Sequence, residues 1–231
     1  MNIQKIIEKN RNAIVLIAVE IPKENNQTTI GIRGTGFIIS NDGKFITNEH
    51  VYKQIPENEL QYACAKVPGK IDEKGSQFYN RYPIKLLHID EENDVALMQI
   101  IADKKFETIE NLGDSELLKE GDEIVYIGYP LATEMLNMGF GITMTTNKCI
   151  VSSIKRRGVD GSMHFFLVDT HTNNGSSGSP VFSTDTGKVI GVVSGKISSR
   201  IPAPDKSMID IPANIGICRP IKYAIDLIEK K

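Results

Sequence analysis

A nucleophilic hydroxyl needs a tight backbone bend to expose its oxygen, N–H groups that converge on the charge formed after attack, and a base to take its proton. The segment Asn174-Gly175-Ser176-Ser177-Gly178-Ser179-Pro180-Val181-Phe182 suits the first two needs, because Gly175 and Gly178 accept φ values that cost other residues energy. By itself it reads equally well as a Gly/Ser-rich loop between strands. Bases are scarce, for the chain has four histidines, His50, His88, His164 and His171. His50 lies in Phe45-Ile46-Thr47-Asn48-Glu49-His50-Val51, directly after a hairpin-like segment, so it is expected at a strand end facing a cleft. An imidazole there can accept and return a proton near neutral pH. Asp94, in Asn93-Asp94-Val95-Ala96-Leu97-Met98, stands at the lip of an apolar strand, where its carboxylate can be buried against that imidazole.

Positioning these groups falls to strands. Short runs rich in Val, Ile, Phe and Thr occur at Ala13–Ile21, Gly36–Ser40, Phe45–Thr47, Leu60–Lys66, Ile84–Ile89, Ala96–Ile101, Glu123–Ile127, Ile142–Thr145, Cys149–Lys155, Met163–Val168, Val181–Ser183 and Val189–Ser194. Turn signals such as Asn41-Asp42-Gly43 and Asp185-Thr186-Gly187 separate them. Without long helical segments between the strands, this pattern predicts an all-β barrel or sandwich architecture rather than a parallel α/β sheet. Two helices are expected at the ends. Ile3, Ile6 and Ile7 are helically spaced, as are Ile221, Ala224, Ile225 and Ile228 near the C-terminus. Leu112-Gly113-Asp114-Ser115 is the best internal boundary, dividing the chain into 1–112, with His50 and Asp94, and 113–231, with Ser177.

The bulk properties exclude more than they assign. The chain has 231 residues, 40% hydrophobic and 24% charged, and a formal net charge of −2, which is ordinary globular usage and argues against nucleic acid as a partner. Cys64, Cys149 and Cys218 are odd in number and widely spaced, so neither a disulfide framework nor a metal site is expected. The apolar run Ala13 to Val19 is closed by Glu20 and is far short of the ~20 residues that span a bilayer, so no membrane association is expected and a cytoplasmic location is the default. Asp185-Thr186-Gly187 matches the aspartic-protease tripeptide, yet it reads as a hairpin turn and has no second copy. Gly34-Thr35-Gly36 is followed by a strand, which removes the helix N-terminus that a phosphate site would use.

Taken together, the three chemical groups in the order His, Asp, Ser resemble the trypsin-like serine proteases, and more closely the bacterial HtrA-type enzymes. Gly34-Thr35-Gly36-Phe37-Ile38-Ile39 with Asn41 to Val51 is similar to the HtrA histidine block, and Leu112 to Ser115 leading to Gly128-Tyr129-Pro130 resembles the entry to its second barrel. Ser177-Gly178-Ser179-Pro180-Val181-Phe182 is more similar to the serine block of glutamyl endopeptidases, and Asn214-Ile215-Gly216-Ile217 resembles the closing segment. The resemblance runs from about residue 10 to residue 228. It implies two six-stranded antiparallel β-barrels with the active site in the cleft between them and a C-terminal helix. It also implies a serine endopeptidase without cofactor or metal, acting on peptide or protein substrates. Ser177 would be the nucleophile, His50 the base and Asp94 its partner, with the N–H groups of Gly175 and Ser177 as oxyanion donors.

Departures from the family matter too. Ser176 replaces the aspartate that digestive trypsins pair with a new N-terminus, so the site is expected to form without zymogen cleavage. The digestive disulfides are missing, and the chain length leaves no room for a PDZ domain, so regulation is expected to lie elsewhere or in a partner chain. By resemblance the specificity pocket is walled by Asp169 to Asn174 and Ser194 to Lys196, including His171, Thr172, Asn174, Ser194, Gly195 and Lys196. His171 and Lys196 could together favour an acidic side chain, while a loop histidine with an exposed lysine is the plainer reading. The rival functional class is a catalytically silent homologue that binds peptides by strand addition.

Overall fold

The computed structural model describes residues 2–73, 75–202 and 207–230. Among these residues, twelve strands form two closed antiparallel barrels on either side of the Leu112–Ser115 segment. The first contains β1 (Ile14–Pro22), β2 (Thr28–Ile38), β3 (Lys44–Thr47), β4 (Ala63–Ile71), β5 (Gln77–Asp90) and β6 (Val95–Ile100). The second contains β7 (Glu123–Gly128), β8 (Thr145–Arg156), β9 (Met163–Val168), β10 (Pro180–Ser183), β11 (Val189–Pro202) and β12 (Met208–Pro220). Around the first barrel the order is β1-β2-β3-β6-β5-β4, and the second repeats it as β7-β8-β9-β12-β11-β10.

The apolar run of β1 explains its place. Ile14 to Val19 are buried on both strand faces, because β1 pairs with β2 and β4 while also packing towards β7 of the other barrel. The first barrel's core is therefore continuous with the interface, joining Phe37, Phe45 and Leu97 to Ile127, Tyr129 and Phe182. A second apolar cluster, with Tyr126, Phe166, Val181 and Cys218, fills the second barrel. Polar bonds cross the interface as well, since the fully buried Tyr129 donates its hydroxyl to Ile14 O at 3.2 Å.

Among the described residues, four α-helices accompany the barrels. α1 (Ile3–Asn10) is capped by the Asn2 side chain, which accepts from Gln4 N at 2.9 Å, and it buries Ile6 completely. α2 (Glu49–Lys53) and α3 (Ala132–Asn137) are single short turns at the cleft. α4 (Lys222–Glu229) follows the second barrel but packs against β5 and β6 of the first, burying Tyr223, Ala224 and Leu227. Its buried face is thus turned slightly from the Ile221–Ala224–Ile225–Ile228 stripe, with Ile225 and Ile228 only partly covered. Among the described residues no helix is long and apolar enough to cross a membrane.

Several strands depart from expectation. Ile142–Thr145 and Cys149–Lys155 are not two strands: one strand, β8, begins at Thr145 and pairs with β7 throughout the intervening residues. Residues 57–62 form a 3-10 helix, so β4 begins at Ala63 rather than Leu60. The whole of β12 lacks a strand signal, because Pro212, Asn214 and Gly216 interrupt its apolar residues; its pairing with β11 and β9 overrides that weak propensity. Asp185-Thr186-Gly187 is the β10–β11 hairpin turn, closed by Gly187 N donating to Ser183 O at 2.8 Å.

Candidate active site

His50 stands on the first turn of α2 rather than at the end of β3. Asn48 turns the chain between the two, and its side chain donates to Asp94 O at 2.9 Å. Asp94 closes the turn between β5 and β6 with φ +55°, a left-handed conformation that costs an L-residue about 1–2 kcal/mol. Tertiary contacts hold it there. Asp94 Oδ1 accepts from His50 N at 3.0 Å, and His50 Nδ1 lies 2.9 Å from Oδ1 and 3.0 Å from Oδ2. Ser194 Oγ donates to Asp94 Oδ2. Burial pushes the Asp94 carboxyl up, but these bonds outweigh it and hold the group below the usual aspartate value. An ionised carboxylate can only accept, so Nδ1 carries the ring proton and Nε2 is left with a free lone pair.

The second barrel also grips the loop that carries Asp94. Arg157, just past β8, donates from Nη1 to Glu92 Oε1 and from Nη2 to Asn93 Oδ1, both at 2.6 Å. Its Nε is 3.2 Å from Tyr223 OH, which itself donates to Met163 O at 3.0 Å. Asn93, nearly buried, donates back to Asp90 Oδ2 at 2.7 Å. Residues from both barrels and α4 therefore set the position of Asp94.

Ser177 occupies the bend anticipated from the glycines. Gly175 (φ +90°) and Gly178 (φ +87°) are both left-handed, and a Cβ at Gly178 would lie 1.9 Å from Thr35 O. Two bonds orient the donors. Asn174 O accepts from Leu131 N at 2.7 Å and Ser176 O accepts from Ser179 N at 3.0 Å. In a trans peptide the N–H points opposite to the carbonyl, so the Gly175 and Ser177 N–H groups face away from these partners. Neither has an acceptor among the described residues, as an oxyanion hole requires. Ser177 Oγ donates to Ser194 O at 3.4 Å, and among the described residues it makes no hydrogen bond to His50. Such bonds are often long or unmade before substrate enters. Ser194 thereby joins both sides of the site, through its hydroxyl to Asp94 and its carbonyl to Ser177.

Thr35 on β2 was not among the sequence candidates, yet it anchors the serine loop to the first barrel. Its N–H donates to Ser177 O at 2.8 Å and its Oγ1 donates to Gly175 O at 2.7 Å. Oγ1 also accepts from Tyr129 N at 3.1 Å, and Thr35 O accepts from Thr47 Oγ1 at 2.7 Å. Gly34-Thr35-Gly36 therefore serves close approach between backbones, since a Cβ at Gly34 would sit 2.9 Å from Ser177 O. Thr35→Val keeps the volume and the N–H but leaves Gly175 O and Tyr129 N without their partner. We expect kcat to fall by about 10–100-fold with little change in KM, less than the loss of a whole oxyanion donor. An unchanged kcat in the folded variant would show that this hydroxyl does not position the donors.

The predicted pocket residues are partly brought together. Thr172 is buried and its Oγ1 donates to Gly195 O, which ties the two expected walls to each other. Gly216 joins them, because a Cβ there would meet Thr172 Cγ2 at 2.5 Å. His171 is exposed and uses only its carbonyl, which accepts from Tyr126 OH at 3.0 Å; Lys196 is half-buried. Asn174 lines a separate cavity of about 370 Å³ beside Gly175 and Ser177, bounded by Ile32 and Arg33 of β2 and by Ala132 and Glu134 of α3. The three cysteines are free and buried, and burial raises the Cys149 thiol to about 12 and the Cys64 thiol to about 11.

The chain is similar to known peptidases. A sequence profile described as "Trypsin-like peptidase domain" matches residues 34–192. "Magnetosome formation protease MamE" of Magnetospirillum gryphiswaldense is 33% identical over 177 residues, covering 74% of this chain and 20% of the relative. "Serine protease HTRA1" of Xenopus tropicalis is 31% identical over 173 residues, covering 73% and 32%. "Probable periplasmic serine endoprotease DegP-like" of Marinomonas sp. is 31% identical over 172 residues, covering 74% and 30%. The chain thus spans a third or less of the length of these relatives. Among solved structures, "HtrA-type protease AlgW with decapeptide" superposes with a TM-score of 0.70 at 18% identity over 99% of this chain and 67% of that one. "Crystal structure of Deg5" gives 0.64 at 22% identity over 96% and 90%. At these identities the structural matches speak for the fold.

Proposed function

This chain belongs to the trypsin-like peptidase family, and from that premise we propose that it is a serine endopeptidase that cleaves polypeptides through an acyl-enzyme. The observation that carries the reading is the continuous polar chain from His50 through Asp94 and Ser194 to Ser177, next to two unbonded N–H groups. When a peptide carbonyl enters, Ser177 Oγ turns from Ser194 O towards His50 Nε2 and attacks the carbonyl carbon while its proton passes to Nε2. The oxyanion is stabilised by the N–H groups of Gly175 and Ser177. His50 then gives its proton to the leaving amine as the C–N bond breaks, and the acyl group stays on Ser177. Water, deprotonated by His50, attacks the ester; the same proton returns to Ser177 as the acid leaves. Asp94 keeps the ring proton on Nδ1 and stabilises the imidazolium formed in each half.

Thr172, Gly195 and Gly216 form the floor and walls of the subsite for the residue before the scissile bond. A neutral, uncharged floor supports small or apolar side chains there more than the acidic preference that His171 and Lys196 would give, because His171 points into solvent. Cleavage profiling of a peptide library separates the two. We further propose a cytoplasmic location, which cell fractionation against compartment markers tests.

The test of the activity is covalent. A fluorophosphonate probe should label the native protein once, at Ser177, and label Ser177→Ala not at all. A folded protein that resists labelling would point instead to a silent, peptide-binding homologue.

A further inference from the structure

Arg33 is the odd residue of β2. In the β1–β2 ladder Ile17 pairs with Gly34 and Ala18 with Ile32, so Arg33 faces no residue of β1 and forms a β-bulge. A bulge bends its strand and re-aims one side chain, which is why bulges recur beside active sites. This one sits two residues before Thr35, whose N–H donates to Ser177 O at 2.8 Å. The Arg33 side chain folds back over Gly31, with Nη1 2.8 Å from the place a Cβ would take, so the missing side chain of Gly31 makes room for the guanidinium.

The charge of Arg33 is incompletely matched. Its one ion pair, Nη2 to Glu59 Oε2 at 3.3 Å, is long and single, whereas a well-fitted guanidinium and carboxylate share two short bonds. The Nε–H is buried without an acceptor among the described residues, and the side chain as a whole is 22% exposed. A buried donor left unpaired costs free energy that a better acceptor removes. Arg33 also borders the cavity of about 370 Å³ that is lined by Gly175 and Ser177 but by neither Thr172, Gly195 nor Gly216.

We propose that Arg33 is a specificity-determining residue that binds a substrate carboxylate on the leaving-group side of the scissile bond. The proposal rests on the peptidase reading above. With the pocket of Thr172, Gly195 and Gly216 taken by the residue before the bond, the chain after it leaves through the cavity beside Arg33. A cavity of this volume is roughly 7 Å across, two residues of extended chain, so the carboxylate belongs to the first or second residue after the bond. It is an Asp or Glu side chain, or the terminal carboxylate of a chain that ends there, and either offers two coplanar oxygens to the guanidinium fork. Glu134, on the α3 wall, is exposed, so water and salt screen its repulsion, while the mostly buried Arg33 keeps its field.

Five peptides test this, identical up to the scissile bond. Three continue with Glu-Glu, Gln-Gln or Lys-Lys into the same amidated tail, and two end after Gln-Gln, one as the free carboxylate and one as the amide. We expect kcat/KM about tenfold higher for Glu-Glu than for Gln-Gln, the scale of a charge-assisted bond at a partly buried site. That ratio should fall towards one in Arg33→Gln and at raised salt. It should rise in Glu59→Gln, which frees the guanidinium from its competing carboxylate and serves as the test if Arg33→Gln fails to melt like the native protein. A gain confined to the free-carboxylate peptide over its amide, lost in Arg33→Gln, supports the carboxylate site and assigns it to the substrate's chain end. Equal kcat/KM across the internal pairs and across the two ends overturns the Arg33 proposal and leaves the peptidase reading intact. Preference for Lys-Lys overturns it in favour of Glu134 as the selecting charge. No cleavage of any peptide, with Glu-Glu still bound more tightly than Gln-Gln by fluorescence anisotropy and the difference lost in Arg33→Gln, supports the carboxylate site and overturns the peptidase reading. No cleavage with equal binding overturns both.

Discussion

Ser177→Ala is expected to lower kcat by about 10⁶-fold while leaving the protein folded, because no other group can form the acyl-enzyme and the remaining site offers only binding and oxyanion stabilisation. The structural cost should be small. The Ser177 side chain makes one long bond, 3.4 Å to Ser194 O, whereas the backbone of the loop is held by Thr35 and by the Gly178–Val193 bond, which alanine at 177 leaves in place. The variant should therefore keep its melting temperature and its affinity for peptides, with residual turnover of about 10³-fold over the uncatalysed rate. Steady-state kinetics on a purified variant, with thermal melting beside it, checks both halves. Retention of more than about one part in a hundred of the activity would mean that a different residue is the nucleophile. Ser176 and Ser179 flank the position, but both are fully buried.

Asp94→Asn is expected to cost about 10⁴-fold in kcat through the tautomer rather than through folding. An amide can keep one oxygen towards the His50 N–H, which leaves its NH₂ where Oδ2 now lies, 3.0 Å from Nδ1. Nδ1 must then accept, so the ring proton moves to Nε2, the atom that should take the serine proton. Stability carries a second signature. The Asp94 carboxyl titrates below its usual value in the folded protein, despite burial that pushes it up, because His50 and Ser194 bind the ionised form. A group with a depressed folded pKa adds stability that is present above its unfolded pKa, about 3.9, and lost as the pH falls through the lower folded value. The stability gap between native protein and Asp94→Asn should accordingly be full near neutrality and shrink below about pH 4. Denaturant titrations at several pH values measure it, and a gap that stays constant down to pH 2 would contradict this coupling.

How much of this was legible before folding depends on whether a signal was local. The serine bend was, since Gly175 and Gly178 announce left-handed backbone within four residues of each other. The two barrels were legible in outline from short runs of alternating or continuous apolar residues, but the ends of strands were not. β11 continues eight residues past Ser194 through polar Ser, Lys and Arg because β12 pairs with it, and β12 itself carries Pro and Gly where a strand signal would need branched side chains. The positioning roles of Thr35 and Arg157 were not legible. The partners of Thr35 in the second barrel lie 94 or more residues away, and those of Arg157 are 64 to 66 residues away, so no spacing rule could connect them.

The amino-acid sequence by itself determined which groups could react: one histidine after a hairpin, one aspartate at a strand lip and the serine pair between Gly175 and Gly178, arranged in the order of a known family. Residue chemistry and the φ requirements of glycine are properties of a few consecutive positions, and they survive in any linear reading. Only the tertiary structure decided how those groups are held. A carboxylate, a hydroxyl and a backbone N–H act when their lone pairs and protons are aimed within a few tenths of an ångström, and that aim is set by Ser194, Thr35 and Arg157 reaching across barrels.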